Sequence, residues 1–218
     1  MASKYKAILF DMDGVIVDTM PYHFLAWKKI FASIGITVDT FEIYKREGEK
    51  GMVTLSEILD AHRKHLSREV KQRLLLEKEA LFKEIVSPRL FPGIESFIEE
   101  AKGKNLLLGL VTGTSRNEME RILPLAMRKL FHISITGDAV KRGKPAPDPY
   151  LKALEALGLT SDEAIVIENA PYGIQSAKQA HLLCLAITTS LPREYLLGAD
   201  YICNSVEEVR ELFLSLTL

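Results

Sequence analysis

Two aspartates two positions apart, Asp11 and Asp13, follow directly on the apolar run Ala7-Ile8-Leu9-Phe10 and are followed at once by Gly14. A short apolar run of this kind reads as a buried strand, and the glycine as the break that ends it. The carboxyl end of such a strand is where open α/β sheets build their ligand crevices. Gly14 permits the chain to leave strand geometry there. A close acidic pair favours a split in which one carboxyl keeps its proton while the other ionises. That division serves an ionised nucleophile beside a proton donor. A surface Asp-Gly turn explains Gly14 but not two acids set against so apolar a strand.

Three further stretches carry polar residues at the ends of apolar runs. In Leu110-Val111-Thr112-Gly113-Thr114, Thr112 ends a strand-like run as Phe10 does, which brings it to the same sheet edge. Its hydroxyl, with the backbone N–H groups of Gly113 and Thr114 at a helix start, makes a phosphate cradle; a plain helix N-cap is the competing reading. Lys144 lies in Gly143-Lys144-Pro145-Ala146-Pro147-Asp148-Pro149. Prolines stiffen that loop, which suits a fixed counter-charge as well as an idle surface lysine. Val166-Ile167-Glu168-Asn169-Ala170-Pro171 sets Glu168 and Asn169 beyond another apolar run, with Asn169 also suited to capping a helix that starts near Pro171.

The elements that must position these residues are legible as alternating patterns. Strand-like runs recur at Ala7–Phe10, Leu106–Val111, Ala164–Ile167 and Leu183–Ile187, with weaker ones at Ile133–Thr136 and Tyr201–Ile202. Helical patterns lie between the later runs, which predicts a doubly wound parallel α/β sheet with helices on both faces. One interval breaks the rhythm. From about Val15 to Pro92 the sequence reads as several helices, too long for a single crossover. Pro21 sits near the start of one that ends before Gly35, and Ser67–Ser87 gives a long run with Leu74, Leu81 and Ile85 at apolar spacing. The expected organisation is a Rossmann-like core of 1–15 and 92–218 with an all-helical insert at 16–91. The mixed charges of Glu77-Lys78-Glu79 and His62-Arg63-Lys64-His65 read as solvated helix faces.

Composition bounds the partners. The 218 residues are 47% hydrophobic and 26% charged, as in a globular chain with a sizeable core. A formal net charge of −1 offers no general attraction for nucleic acid or an anionic membrane. Cys184 and Cys203 lack metal-ligand spacing, and Cys184 sits in an apolar run, as a buried thiol does. Met1-Ala2-Ser3-Lys4 leads straight into the first strand, with no room for a signal peptide, and no stretch has the apolar length of a membrane span. A cytoplasmic protein, monomeric or a small homo-oligomer, is expected.

The four motifs, in this order and spacing, resemble those of the haloacid dehalogenase-like superfamily. The stretch FDMDGVIVDTMPYHFLAW resembles in particular its phosphatase and β-phosphoglucomutase-like branch. That resemblance implies a helical cap inserted after the first strand. It implies Asp11 as the nucleophile that forms an aspartyl-phosphate, and Asp13 as general acid toward the leaving alcohol and then general base for water. Thr112 and Lys144 hold the phosphoryl group, with Gly113 and Thr114 beside it. The resemblance further implies a Mg²⁺ held by the Asp11 carboxylate, the Asp13 backbone carbonyl and the Glu168-Asn169 pair. The branch more often carries Glu-Asp at that last position; Asn169 brings an oxygen but no charge.

The cap supplies the substrate's other contacts. Thr19 and the pair His23 and Trp27, one helical turn apart, match the β-phosphoglucomutase pattern, in which such a His assists proton handling. The loop Lys45-Arg46-Glu47-Gly48-Glu49-Lys50-Gly51 departs from it. The mutase has a Lys immediately before the loop glycine and an Arg three places after it, where this chain has Glu47 and Gly51. Arg46 and Lys50 are the replacement candidates for gripping substrate. The function expected is a Mg²⁺-dependent phosphatase of a small phosphorylated metabolite, with a phosphohexomutase as the alternative. A hydrolytic dehalogenase wants no acid at the place of Asp13. A receiver-type phospho-acceptor carries its Asp on a later strand and has no cap.

Overall fold

Ala7-Ile8-Leu9-Phe10 is shielded from solvent along its whole length, which requires an apolar layer on each side of the strand it forms. The computed structural model of the protein describes residues 4–217. In it β1 (Ala7–Phe10) is followed by four helices, α1 (Met20–Ser33), α2 (Thr40–Tyr44), α3 (Gly51–Ala61) and α4 (Arg68–Ile85). Alternation then sets in: α5 (Ile94–Gly103), β2 (Leu107–Val111), α6 (Arg116–Ile122), α7 (Leu125–Arg128), β3 (Ile133–Ile135), α8 (Asp148–Leu157) and β4 (Ala164–Glu168). The chain ends with α9 (Pro171–Gln179), β5 (Leu183–Ile187), β6 (Tyr201–Cys203) and α10 (Val206–Thr217). All six strands are parallel, in the order β3-β2-β1-β4-β5-β6.

Period-two alternation divides β1 between two cores. Ala7 and Leu9 join the layer under α8 and α9, with Tyr150, Ala153, Ile174 and Ala177. Ile8 and Phe10 join the layer under α5 and α10, with Phe97, Ile98, Val209 and Phe213. The Phe10 ring meets Phe97 and Phe131 edge-on at centroid distances of 5.8 and 6.0 Å. Truncating so enclosed a ring costs about 3–5 kcal/mol, which makes Phe10 an anchor for the aspartates that follow it.

The four helices after β1 form a cap joined to the sheet domain by two chain segments lying side by side. Val17 bridges Leu90 in antiparallel sense, Asp18 N–H donates to Arg89 O at 2.8 Å, and Phe91 N–H donates to Ile16 O at 3.0 Å. Helices α1 and α4 pack on each other, and α1 buries Ala26, Trp27, Ile30 and Phe31. The buried stripe of α4 is Leu74, Lys78 and Phe82, spaced by four. The expected stripe through Leu81 and Ile85 is half-buried instead. A lysine in the middle of a buried stripe contradicts the solvated-face reading of Glu77-Lys78-Glu79; Glu77 alone stands in solvent, paired with Arg73.

Candidate active site

Strand register sets the floor of the site. Phe10 pairs with Leu110 on one side and Ile167 on the other, so Asp11, Val111 and Glu168 leave the sheet level with one another, and Thr112 follows one residue later. From β1 the chain winds to β2 on one flank and later to β4 on the other. This edge is therefore the switch point at which doubly wound sheets open a crevice.

Lys144, on the loop before α8, reaches into that crevice and is fully buried. Its Nζ lies 2.5 Å from Asp11 Oδ1 and 2.6 Å from Glu168 Oε1, and donates to Val111 O at 3.1 Å. Tyr150 OH donates to the same Glu168 oxygen at 2.6 Å. Burial pulls the Lys144 ammonium down, but the Asp11 and Glu168 carboxylates outweigh it and hold the group above its ordinary range. Burial pushes the Asp11 carboxyl up to about 8; Lys144 draws it down, while Glu168 and Asp13 add to the rise.

Asp13 has the opposite surroundings. Oδ1 accepts from Thr19 Oγ1 at 2.5 Å and faces His23 Nε2 at 3.4 Å, while Oδ2 accepts from Thr114 Oγ1 at 2.9 Å and Thr112 Oγ1 at 3.3 Å. Burial alone raises this carboxyl, yet the bonds from His23, Thr19 and Thr114 outweigh it and hold it below the usual carboxylate range. Thr19 stands at the N-cap of α1 but spends its hydroxyl on Asp13 rather than on the helix.

Behind His23 stands Lys78, buried at 7% exposure, with Nζ 3.1 Å from His23 Nδ1 and over the Trp27 and Phe82 rings. A lysine ammonium can only donate, so Nδ1 accepts and Nε2 carries the imidazole proton toward Asp13. Burial, then Lys78, lowers the His23 pKa, which keeps the ring neutral. His23 also stacks on Phe82 at 4.0 Å. The link Lys78–His23–Asp13 escaped the sequence because lysine between two glutamates on a helix looks solvated; its i, i+4 spacing from Leu74 and Phe82 was the available signal.

Two buried oxygens in this cluster have no hydrogen-bond partner, Asp11 Oδ2 and Asn169 Oδ1. Asn169 Nδ2 donates to Ser190 Oγ at 2.8 Å, which directs its oxygen the other way. A Cβ on Gly14 would come within 2.0 Å of Asn169 Nδ2, and Gly14 has φ +88°, so glycine is required there. Orphaned buried acceptors of this kind fit a hard cation that prefers oxygen ligands. Among the described residues no group of three or more His, Cys, Asp or Glu side chains forms a metal cage. A donor set of one or two carboxylates, an amide and a carbonyl suits an ion that retains waters.

Several expectations change in detail. Asn169 caps no helix: Ala170 occupies the N-cap of α9. Thr112 does not open a helix either; Ser115 caps α6, and Thr112 Oγ1 instead accepts from Thr114 N–H at 3.0 Å. Arg46 is held by Glu57 and, at 3.3 Å, by Glu49, and Lys50 Nζ donates to Val140 O at 2.5 Å. Both line the cavity between cap and core, about 250 Å³, together with His23, Trp27, Glu47, Lys78 and Glu118.

The cap loop closes over the aspartates. A Cβ on Gly113 would lie 2.4 Å from Gly48 O, and one on Gly48 would lie 2.2 Å from Lys144 Cδ, so backbone meets backbone directly above the catalytic floor. Asp11 and Asp13 have no solvent exposure beneath it. Glu47, on the same cap loop, lines the cavity. Desolvation, then the Asp13 and Asp11 charges, raises its carboxyl well above the ordinary range.

Comparisons with known proteins agree with this architecture. Residues 5–181 match the family model of the haloacid dehalogenase-like hydrolases. The phosphorylated carbohydrates phosphatase of Thermotoga maritima is 34% identical over 180 residues, covering 80% of this chain and 81% of that protein. The β-phosphoglucomutase of Bacillus subtilis is 33% identical over 211 residues, covering 94% and 91%. A crystal structure of β-phosphoglucomutase from Clostridium difficile superimposes with a TM-score of 0.84 at 28% identity, covering 97% of this chain and 96% of that one. The chain is a haloacid dehalogenase-like hydrolase, in the phosphatase and β-phosphoglucomutase-like branch of that family.

Proposed function

We propose that the protein is a Mg²⁺-dependent phosphatase that hydrolyses a small phosphorylated sugar through an aspartyl-phosphate on Asp11. The observation that carries this reading is the pair Asp11 and Asp13, two buried carboxyls at one strand end, the first held by Lys144 and the second by Thr19, Thr114 and His23. Curated relatives named for phosphorylated carbohydrates and for fructose 1-phosphate support the substrate class.

Asp11 attacks phosphorus in line, with Lys144 neutralising charge on its other oxygen. Asp11, the Asp13 carbonyl, Glu168 and Asn169 would hold the Mg²⁺. When bound, the ion supplies charge neutralisation between carboxylate and phosphate. Lys144 beside Asp11 favours its ionised form, and phosphate charge beside Asp13 favours the protonated one. Asp13 then protonates the leaving oxygen, and afterwards takes a proton from the attacking water. Neutral His23, donating through Nε2 and oriented by Lys78, holds Asp13 in line. The hydroxyls of Thr112 and Thr114 and the Gly113 backbone cradle the phosphoryl oxygens, Thr19 holds Asp13, and Arg46 and Lys50, committed to Glu57, Glu49 and Val140 O, shape the cavity wall rather than grip substrate.

Access requires the cap to lift, because neither aspartate touches solvent. The paired segments 16–18 and 89–91 are the natural hinge, which supports the division into a core of 1–15 and 92–218 and a cap of 16–91. Among the described residues no helix is long and apolar enough to cross a membrane. Free buried thiols at Cys184 and Cys203 suit a reducing cytoplasm, and a monomer or small homo-oligomer is the assembly we assign.

The second reading, a phosphohexomutase, is favoured by the His23–Asp13 approach and by the similarity to β-phosphoglucomutases. The internal engagement of Arg46 and Lys50 argues against it, since a mutase must grip a distal phosphate there. Phosphate release from a panel of sugar phosphates, with and without Mg²⁺, tests the assignment. Release that needs Mg²⁺ supports it, and an inert panel rejects it.

A further inference from the structure

Three buried polar atoms on the cavity wall lack hydrogen-bond partners: Glu118 Oε1, Glu49 Oε1 and Arg46 Nε. None belongs to the phosphoryl-transfer cluster. Glu118 stands on α6 of the core and is 8% exposed. Its Oε2 accepts the Ser115 hydroxyl at 3.2 Å, and its own N–H donates back to Ser115 Oγ at 3.4 Å, so a helix cap fixes where the carboxylate points. Glu49 comes from the cap side, also 8% exposed. Thr54 Oγ1 at 2.6 Å and Arg46 Nη1 at 3.3 Å both claim its Oε2 and leave Oε1 free.

An ionised carboxylate accepts hydrogen bonds and donates none, and a buried acceptor left unpaired is costly. The two walls therefore call for a ligand that presents donors on opposite sides. Charge restricts the ligand further. The cavity wall carries Glu47, Glu49, Glu79, Glu118 and Asp138 against Arg46, Lys50 and Lys78. Each of those three cations already has a partner inside the protein: Arg46 with Glu49 and Glu57, Lys50 on Val140 O, Lys78 on His23. Among the described residues on that wall, only Arg46 Nε keeps a donor free, and the guanidinium's charge is already shared by Glu49 and Glu57.

We propose that Glu118 and Glu49 are specificity-determining residues: they accept hydroxyl hydrogens from an uncharged, polyhydroxylated leaving group and turn away substrates bearing a second phosphate. The proposal rests on the phosphatase reading and narrows it. A mere helix-capping role for Glu118 would stabilise α6 without setting substrate preference.

The test is kcat/KM, with Mg²⁺ present, for glucose 6-phosphate, glucosamine 6-phosphate, glucose 1,6-bisphosphate and p-nitrophenyl phosphate. It is measured on the wild-type chain and on Glu118→Gln and Glu49→Gln, whose amides keep the shape and, for Glu118, an acceptor for Ser115. Wild type is expected to favour glucose 6-phosphate over the bisphosphate by about 10- to 100-fold, the scale of hydrogen bonds to charged groups. Each amide variant is expected to shrink that preference by about tenfold, mainly through KM for the monophosphate. A preference unchanged in both variants, or absent in wild type while p-nitrophenyl phosphate is still cleaved, overturns the proposal and leaves the phosphatase standing. Glucosamine 6-phosphate preferred by more than about tenfold would make the donor an ammonium group and overturn the uncharged leaving group. Phosphate release from none of the four would sink the phosphatase reading itself.

Discussion

Lys144 holds Asp11 through a 2.5 Å contact from Nζ to Oδ1, in a site where neither side chain reaches solvent. The pair shows what the site costs the fold. A carboxyl raised from 3.8 to about 8 by burial keeps its proton in the folded chain after the unfolded chain has lost its own. Across that window each rise in pH favours unfolding, and stability present below pH 4 is lost as pH climbs toward 8. Asp11→Asn removes the titrating group. Without Mg²⁺ this variant should melt at a higher temperature than wild type, by a margin that widens from pH 5 to pH 8, while losing all turnover. A margin constant with pH, or phosphate release above a blank, contradicts this account.

Asp13→Asn should lower turnover of an alkyl phosphate by roughly 10²–10⁴-fold, or about 3–5 kcal/mol of barrier, as the loss of a general acid and base does. An aryl phosphate with a good leaving group needs less proton donation, so its first step should suffer less. Equal losses on both substrates in a pre-steady-state burst would assign Asp13 to structure rather than proton transfer.

Lys78→Met tests the chain of contacts behind Asp13. Removing the ammonium from His23 Nδ1 should raise the His23 pKa, because burial and then Lys78 are what lower it. NMR titration of the ring reads that shift. Misorientation of His23 should also cost kcat on the order of 10²-fold, the scale set by small displacements in a catalytic group. An unmoved titration would show that Lys78 merely packs.

Asn169→Asp adds an anionic oxygen where Asn169 Oδ1 stands unpartnered. Ser190 can turn its hydroxyl to donate in place of accepting, so the local bond survives. Calorimetric Mg²⁺ affinity should rise and the half-saturating Mg²⁺ for turnover should fall. No change in either would remove the side chain from the metal site.

Much of this was legible in the sequence, for physical reasons. Ala7–Phe10 and Ala164–Ile167 are apolar throughout because they are covered on both faces, and a continuous run bounded by polar residues signals that plainly. Even the weak runs at Ile133 and Tyr201 are the sheet's two edge strands, short because edges are short. Residues at strand ends, such as Asp11 and Thr112, could be placed because register follows from the strands. The inter-element contributions could not. Lys78 and Glu118 come to one cavity from cap and core, and Tyr150 reaches Glu168 from α8, which no local pattern encodes. The capping alternatives weighed for Thr112 and Asn169 do not hold, because Ser115 and Ala170 take those places, three residues and one residue further on.

The central claim is that water, not a sugar hydroxyl, receives the phosphoryl group from Asp11. Both reactions begin alike, and the cap decides between them by gripping or refusing a distal phosphate. The deciding measurement follows inorganic phosphate and glucose 6-phosphate in one reaction started with β-glucose 1-phosphate, Mg²⁺ and a trace of glucose 1,6-bisphosphate. With Arg46 and Lys50 engaged elsewhere, phosphate release should outpace glucose 6-phosphate formation, with or without the bisphosphate. Primer-dependent glucose 6-phosphate formation much faster than phosphate release would contradict the account and make the protein a mutase.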